Sequence, residues 1–298
     1  MTTFAERLDQ RMQAVDSLVC INLDPDFKRL FPDGEPASTS AAADAIVRFN
    51  QTIIEATSPY ACAYKPNLAF YLALGADGVR ALIETRRLVP DAIPVILDAK
   101  ANDMGNTAER YAEAYLDRWG FDAVTVNPYL GREGLAPFLR RAGKGVIVLA
   151  KTSNTGSADF QDLEMRGTGL PLSDLVATRA AEWQGSCPAS VGLVVGATFP
   201  DHLARIRSIA PSLPILLPGV GAQGGDIAGS VRAGCNRNGR GLIVSAGRSI
   251  IYAGAGSETG PAAATAARDL RDEVNRFRPS PVTSMNEQVQ APAHQRPS

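Results

Sequence analysis

The chain has 298 residues, of which 45% are hydrophobic, and a formal net charge of −1 at pH 7. This near-neutral balance lacks a Lys/Arg block, which argues against nucleic acid or an anionic membrane as a partner. No apolar run approaches the ~18 residues of a membrane span, and the N-terminus, MTTFAERLDQRMQAV, is amphipathic rather than a signal peptide. We therefore expect a cytoplasmic protein that acts on small molecules.

Eight short apolar runs alternate with helical patterns along the chain. They are continuous runs rather than strict alternations, which is typical of parallel strands covered on both faces. The pattern predicts a (β/α)8 TIM barrel in a single domain, residues 1–278. The runs are LVCINLD (18–24), ACAYKPN (61–67), PVILDAK (94–100), AVTVNPY (123–129), GVIVLAK (145–151), VGLVVGA (191–197), PILLPGV (214–220) and GLIVSAG (241–247).

Segments outside this alternation have expected roles of their own. The opening helix carries Phe4, Leu8, Met12 and Val15 on one face, which suits a plug at the bottom of the barrel. Residues 152–172 form a long connection with little periodicity, and such connections are often active-site lids. Residues 279–298 are rich in Pro, Ser and Gln, so we expect a disordered tail.

The four cysteines, Cys20, Cys62, Cys187 and Cys235, lie far apart and form no CxxC pair. We expect reduced, buried small hydrophobes rather than disulfides or metal ligands.

Polar residues fall where several predicted strands end, which is the catalytic face of such a barrel. The chain has five lysines, and Lys65, Lys100 and Lys151 stand at strand ends. Taken singly, an aspartate here could cap a helix or loop, and Lys65 or Lys151 could extend from the barrel rim. Taken together, the D-x-K-x-x-D pattern of Asp98, Lys100 and Asp103, with Lys65 on the preceding strand, predicts an array of alternating charges.

Two glycine-containing segments follow the last two predicted strands, LPGVGAQGGD (217–226) and SAGRSI (245–250). Loops in these positions often bind phosphate through backbone N–H groups, a helix N-terminus and an arginine. The alternatives are tight-turn geometry for the glycines and a surface ion pair for Arg248. We favour phosphate because both loops occur in the required order.

Cofactor chemistry is not expected from the sequence. The two histidines, His202 and His294, fall on a predicted helix and in the tail, which disfavours histidine catalysis and histidine metal sites. Paired carboxylates could hold magnesium, but Lys100 between Asp98 and Asp103 would compete for their charge. We expect no metal and no other cofactor.

The motifs INLDPD, YKPNLAFY, LDAKANDMGNTAERYA, KTSN, LPGVGAQGGD and SAGRSI occur in this order. With them the chain resembles the orotidine 5′-phosphate decarboxylase family, in its longer bacterial form, over most of its length. The chain departs from the usual family pattern at Ala101-Asn102, where members often have Arg-Gly, and at Thr155, where they have proline.

The resemblance implies cofactor-free decarboxylation of orotidine 5′-monophosphate to uridine 5′-monophosphate in pyrimidine biosynthesis, by a homodimer with shared active sites. Lys100 would stabilise the developing carbanion and then protonate it. Asp103 would reach into the neighbouring subunit's site. The implied residues are Lys65, Asp98, Lys100 and Asp103 for catalysis, Asp24 and Thr107 for the ribose, Ser153 for the pyrimidine, and Gln223, Gly247 and Arg248 for the phosphate.

Three other functions stay open at this point. A Schiff-base aldolase would use Lys65 or Lys151 with a depressed pKa. A magnesium-dependent decarboxylase or formaldehyde-lyase would share the motif on the third strand. A barrel retained as a phosphate-ligand binding module would bind nucleotide without turnover.

Overall fold

Eight parallel strands form one sheet in the computed structural model, which describes residues 2–32, 34, 36–220 and 226–280. Each of the eight expected apolar runs contains one strand or its greater part. The strands are β1 (Val19–Asn22), β2 (Ala63–Lys65), β3 (Ile96–Leu97), β4 (Ala123–Val126), β5 (Gly145–Lys151), β6 (Ser190–Val195), β7 (Ile215–Leu217) and β8 (Leu242–Ala246).

The strands follow one another around a nearly closed barrel in the order β2-β1-β8-β7-β6-β5-β4-β3. Seven of the eight junctions are parallel ladders, and the last is made by the isolated bridges Tyr64–Val95 and Asn67–Asp98 between β2 and β3. The predicted (β/α)8 architecture is therefore confirmed. We call the β2/β3 junction the seam.

Helices cover the outside of the barrel, so the strands are buried from both sides and can be apolar throughout. All residues of β4, β6 and β8 are buried, for example. The helices are α1 (Phe4–Ala14), α2 (Phe27–Leu30), α3 (Thr39–Thr57), α4 (Leu68–Leu72), α5 (Gly75–Leu88), α6 (Gly105–Ala112), α7 (Gly131–Leu139), α8 (Leu172–Gln184), α9 (Pro200–Ile209), α10 (Ile227–Gly234), α11 (Arg248–Ile251) and α12 (Thr259–Phe277).

Helix α1 lies across the N-terminal ends of the strands, as the sequence predicted. Its first turn is fixed by a capping box, in which Thr3 and Glu6 satisfy each other's backbone N–H groups. Phe4, Leu8 and Met12 are buried, whereas Val15 follows the helix and is only half-buried. The helix is held to β6 by the Ala5 N–H, which donates to Ser190 Oγ at 3.1 Å.

The remaining expectations about the chain have mixed outcomes. All four cysteines are free; Cys20, Cys62 and Cys235 are buried and Cys187 is half-buried. Among the described residues, no helix combines the length and the apolar character needed to cross a bilayer. Residues 281–298 lie outside the described residues, so the disordered tail and the domain boundary at 278 stay predictions.

The contact between α1 and the barrel floor can be tested at Gly145. A Cβ there would lie 2.6 Å from Phe4 Cδ1 and 2.7 Å from Ala123 Cβ. We expect Gly145→Ala to lower the free energy of unfolding by about 1–3 kcal/mol, because overpacking forces neighbouring side chains to move. Urea unfolding would measure this. Gly185→Ala is the control, since its Cβ would meet no described atom nearer than Glu182 O at 3.5 Å. Equal stability of both variants would contradict tight packing of Phe4.

Candidate active site

A cavity of about 310 Å³ opens at the C-terminal ends of the strands. Because the carboxyl ends of parallel strands meet at one face of a barrel, residues far apart in the sequence converge here. The residues that line it include Asp24, Lys65, Asp98, Gly219, Gly247 and Arg248. Five of these six were singled out from the sequence as strand-end or phosphate-loop residues, and Gly219 belongs to the first glycine-containing segment.

Asp98 is the centre of the charged residues. Its Oδ2 accepts a hydrogen bond from Lys65 Nζ at 2.9 Å, and its Oδ1 accepts one from Lys100 Nζ at 2.5 Å. Thr125 Oγ1 also donates to Oδ1, at 2.9 Å. Each carboxylate oxygen therefore faces an ammonium group, and three members of the expected array, Lys65, Asp98 and Lys100, are in contact.

These contacts decide the ionisation of the buried pair. Burial alone would favour a neutral Asp98, but Lys65 and Lys100 outweigh it and hold the pKa of Asp98 below its usual range. Burial likewise disfavours the charged form of Lys65, yet Asp98 and Asp24 raise the pKa of Lys65 above its usual value. Both groups are consequently charged at neutral pH, although Lys65 is only 3% exposed and Asp98 only 8% exposed.

Lys100 reaches Asp98 through an unusual backbone conformation. Its φ angle is 51°, in the left-handed region that residues with a Cβ adopt rarely. The Lys100 N–H donates to Thr125 Oγ1 at 3.0 Å, which fixes the turn. The Lys100 side chain remains 44% exposed, so its ammonium is accessible. Strained residues of this kind concentrate at functional sites, which makes Lys100 the prime candidate for chemistry.

Asn67 connects the two carboxylates of the site. Its backbone N–H donates to Asp24 Oδ1 at 3.0 Å, and its Nδ2 donates to Asp98 Oδ2 at 3.4 Å. Its Oδ1 accepts from the Ala69 N–H at 3.1 Å and so caps α4. One residue at the end of β2 therefore orients Asp24, Asp98 and the next helix.

The opposite end of the cavity is formed by the loops after β7 and β8. Gly219 has a φ angle of 94°, so the backbone of any other residue would be strained at this position. A Cβ at Gly247 would lie only 3.0 Å from Asn22 Cβ, and Arg248 begins α11 with its side chain exposed. Gln223, with Gly221, Gly224 and Gly225, lies outside the described residues, so its expected phosphate contact stays a prediction.

Comparison with known proteins gives the family. Residues 17–263 match the Orotidine 5'-phosphate decarboxylase / HUMPS family. The chain belongs to this family. A curated relative, orotidine 5'-phosphate decarboxylase of Thermomicrobium roseum, is 50% identical over 93% of this chain and 96% of the relative.

Two solved structures from Leishmania donovani have the same fold. Its OMP decarboxylase has a TM-score of 0.79 and 38% identity, covering 93% of this chain and 99% of that one. Its UMP synthase has a TM-score of 0.81 and 39% identity, covering 93% of this chain but 57% of the synthase chain. The family expected from the sequence is confirmed, as is the expected enzyme class, a decarboxylase.

Four of the expected site residues that the structure describes do not line the cavity, although one of them, Lys100, contacts Asp98, which does. Asp103 is half-buried, and its Oδ1 accepts from the adjacent Met104 N–H at 2.7 Å. Thr107 is exposed in the first turn of α6, and Ser153 is half-buried two residues after β5. A single chain therefore brings together Asp24, Lys65, Asp98, Lys100, Gly247 and Arg248, but not Asp103, Thr107 or Ser153.

Lys151 does not occupy the position that a strand-end lysine suggested. It neither lines the cavity nor extends from the rim, because its side chain is fully buried and its Nζ contacts Asp162 Oδ1 at 2.7 Å.

Sequence reasoning also missed Thr125 and Asn22. A lone threonine inside the apolar run AVTV was the available signal for Thr125. Asn22 lines the cavity, and its Oδ1 accepts from Ser245 Oγ at 2.6 Å.

The ionised Asp24 side chain is expected to lower the free energy of unfolding of the protein without substrate. Burial raises the pKa of Asp24, and the opposing effect of Lys65 is smaller, so ionisation at neutral pH is penalised in the fold. Asp24→Asn should therefore be more stable than the wild type at neutral pH. The difference should shrink as the pH falls through the folded-state pKa of Asp24, because the wild-type side chain then becomes neutral too.

Urea unfolding from neutral to acidic pH would measure this stability difference. Asp26→Asn serves as the control, since Asp26 lies in the same segment and mainly caps α2. A lower stability of Asp24→Asn at neutral pH would contradict the burial cost.

Proposed function

We propose that this protein decarboxylates orotidine 5′-monophosphate to uridine 5′-monophosphate in pyrimidine biosynthesis, without a cofactor. The observation that carries the proposal is the position of Asp98 between Lys65 and Lys100 at the wall of the cavity. The names of the curated relatives support the substrate. The cytoplasmic location expected from the sequence is part of this proposal.

The cavity suggests how the substrate would lie. We assign the phosphate to the end formed by Gly219, Gly247 and Arg248, because backbone N–H groups and a guanidinium bind phosphate oxygens well. The ribose would lie at Asp24, and the substrate carboxylate would lie beside Asp98. Gln223 and Ser153 are proposed to contact the phosphate and the pyrimidine, as the resemblance implies.

The reaction needs a fixed positive charge because loss of CO₂ leaves an electron pair on a ring carbon. The bond from the ring carbon to the carboxylate carbon breaks, and the electron pair stays on the ring. The Lys100 ammonium stabilises this pair and then donates a proton to the same carbon, regaining its own proton from solvent. Asp98 orients Lys100 and repels the substrate carboxylate, while Lys65 keeps Asp98 ionised.

The same geometry disfavours the alternative enzymes. A magnesium site would need the oxygens of Asp98, but these already accept hydrogen bonds from two ammonium groups and a hydroxyl. A Schiff-base aldolase would need a lysine whose pKa is lowered, whereas the pKa of Lys65 is raised. Lys151, the other candidate for a Schiff base, is buried against Asp162 outside the cavity.

We further propose a homodimer that shares its active sites. Asp103 lies three residues beyond Lys100 and outside the cavity wall of its own chain, so a second subunit would have to receive it. The surrounding surface supports an interface, because it exposes large apolar side chains. Met104 is 55% exposed, Tyr129 is 85% exposed and Leu130 is 41% exposed. Thr107 is proposed to contact the ribose, as the resemblance implies.

Turnover of the proposed substrate gives the direct test. The purified protein should consume orotidine 5′-monophosphate in the presence of a metal chelator. The loss of substrate absorbance measures this reaction. Lys100→Ala should lose at least about 10³-fold in kcat, since one group supplies both charge stabilisation and the proton. The variant should still bind uridine 5′-monophosphate, because phosphate and ribose contacts lie elsewhere.

Three outcomes would count against this mechanism. Binding of nucleotide without turnover by the wild type would favour a binding module. Loss of activity with chelator would favour a metal-dependent enzyme. Wild-type turnover by Lys100→Ala would remove Lys100 from the chemistry.

The shared site can be tested by mixing two inactive variants, Lys100→Ala and Asp103→Ala. With random subunit exchange, roughly half of the dimers are mixed, and each mixed dimer has one site with both lesions and one with neither. Activity should therefore recover to roughly a quarter of the wild-type value. If both residues served the pocket of their own chain, every site would carry a lesion and activity would stay near zero. Mass spectrometry of labelled subunits would establish that exchange has occurred.

A further inference from the structure

The loop after β5 is closed at its base by an ion pair between a buried lysine and a partly exposed aspartate. Lys151, the last residue of β5, is fully buried, and its Nζ lies 2.7 Å and 2.8 Å from the two carboxylate oxygens of Asp162. The ammonium also lies over the ring of Phe199, 4.5 Å from its centroid. Since burying an ammonium without a partner is strongly unfavourable, Asp162 has to remain at this place in the fold.

Hydrogen bonds to Gln161 reinforce this closure. Gln161 Oε1 accepts from the Thr152 N–H at 2.8 Å, and Gln161 Nε2 donates to Thr152 Oγ1 at 2.9 Å. The Ser173 N–H donates to the Gln161 carbonyl oxygen at 3.0 Å, which ties this point to α8. The two ends of the segment 152–162 are therefore joined twice, by Lys151–Asp162 and by Thr152–Gln161. We call these two contacts the loop clamp.

Ser153 lies directly beside the loop clamp and against β6. A Cβ at Gly196 would come within 2.8 Å of Ser153 Cα, Cβ and N, so the Ser153 backbone is in contact with a position where only glycine fits. The Gly196 N–H donates to the Lys151 carbonyl oxygen at 2.8 Å. The Ser153 backbone, which belongs to the clamped segment, is thus held against the end of β6.

We propose that Asp162 is a positioning residue that holds Ser153 in one place against Gly196 by closing the loop on Lys151. This inference rests on the proposed function, in which Ser153 contacts the pyrimidine. An apolar side chain at position 151 would fill the same buried space without needing a partner of opposite charge. The ion pair instead makes the conformation of the loop depend on one carboxylate.

The effect of Asp162→Asn separates positioning from general stability. We expect kcat/KM for orotidine 5′-monophosphate to fall by about 10- to 100-fold, because a displaced Ser153 misorients the pyrimidine. The inhibition constant of inorganic phosphate should stay within about twofold, since phosphate binding is assigned to other loops. Tryptic cleavage after the exposed Arg166 should become at least about tenfold faster, because the loop opens more often.

Glu164→Gln is the matched control. Glu164 is an exposed carboxylate on the same loop and has no ion pair with any residue in the described part of the chain. It should match the wild type in kcat/KM, cleavage rate and melting temperature. Asp162→Glu keeps the charge and should recover part of the lost kcat/KM and part of the resistance to trypsin.

A double variant covers the case in which Asp162→Asn does not fold. Lys151→Met/Asp162→Asn leaves no unpaired buried charge, so it should fold and still show the loss in kcat/KM. Wild-type kcat/KM in either variant would overturn the proposal. Suppose instead that inhibition by inorganic phosphate weakens as much as kcat/KM falls, and that the melting temperature falls too. That result would show a structural role only.

Failure of the wild type to consume orotidine 5′-monophosphate would refute the proposed function and the positioning role with it. Faster cleavage of Asp162→Asn would then still show that the pair closes the loop.

Discussion

The negative charge of Asp98 is the feature on which the site depends. A carboxylate that is 8% exposed stays ionised here because two ammonium groups and a hydroxyl satisfy its oxygens. Lys65 in turn stays charged because of that carboxylate, so neither charge is stable without the other. The left-handed backbone of Lys100, fixed by Thr125, and the side chain of Asn67 keep these groups at hydrogen-bonding distance.

This arrangement coincides with the weakest junction of the barrel. The seam between β2 and β3 has two isolated bridges in place of a ladder, and one of these joins Asn67 to Asp98. Past the strand ends, the two segments are still joined by backbone hydrogen bonds, from the Asp98 N–H to the Pro66 carbonyl oxygen at 3.0 Å and from the Leu68 N–H to the Asp98 carbonyl oxygen at 3.2 Å. The Lys65 and Asp98 side chains meet at this junction, and Asn67 Nδ2 adds a hydrogen bond to Asp98 Oδ2 at 3.4 Å.

The fold and part of the site could be predicted from sequence because both follow from local patterns. Continuous apolar runs identify buried parallel strands, and parallel strands place Lys65, Asp98 and Lys100 at one face. The rest depends on distant contacts. Lys151 was expected at the catalytic face, but its side chain contacts Asp162, 11 residues further on, and Phe199, which comes later still. The left-handed turn at Lys100 depends on Thr125 of the next strand, which no pattern around residue 100 reveals.

The separation of the two ends of the cavity has a consequence for how such a barrel can diversify. The charged groups come from β2 and β3, whereas Gly219, Gly247 and Arg248 follow β7 and β8 on the other side of β1. Substitutions at one end need not alter the backbone of the other. A phosphate-binding site could thus be inherited unchanged while the groups around the reacting atoms are replaced. A barrel with a new reaction would then already bind phosphorylated compounds.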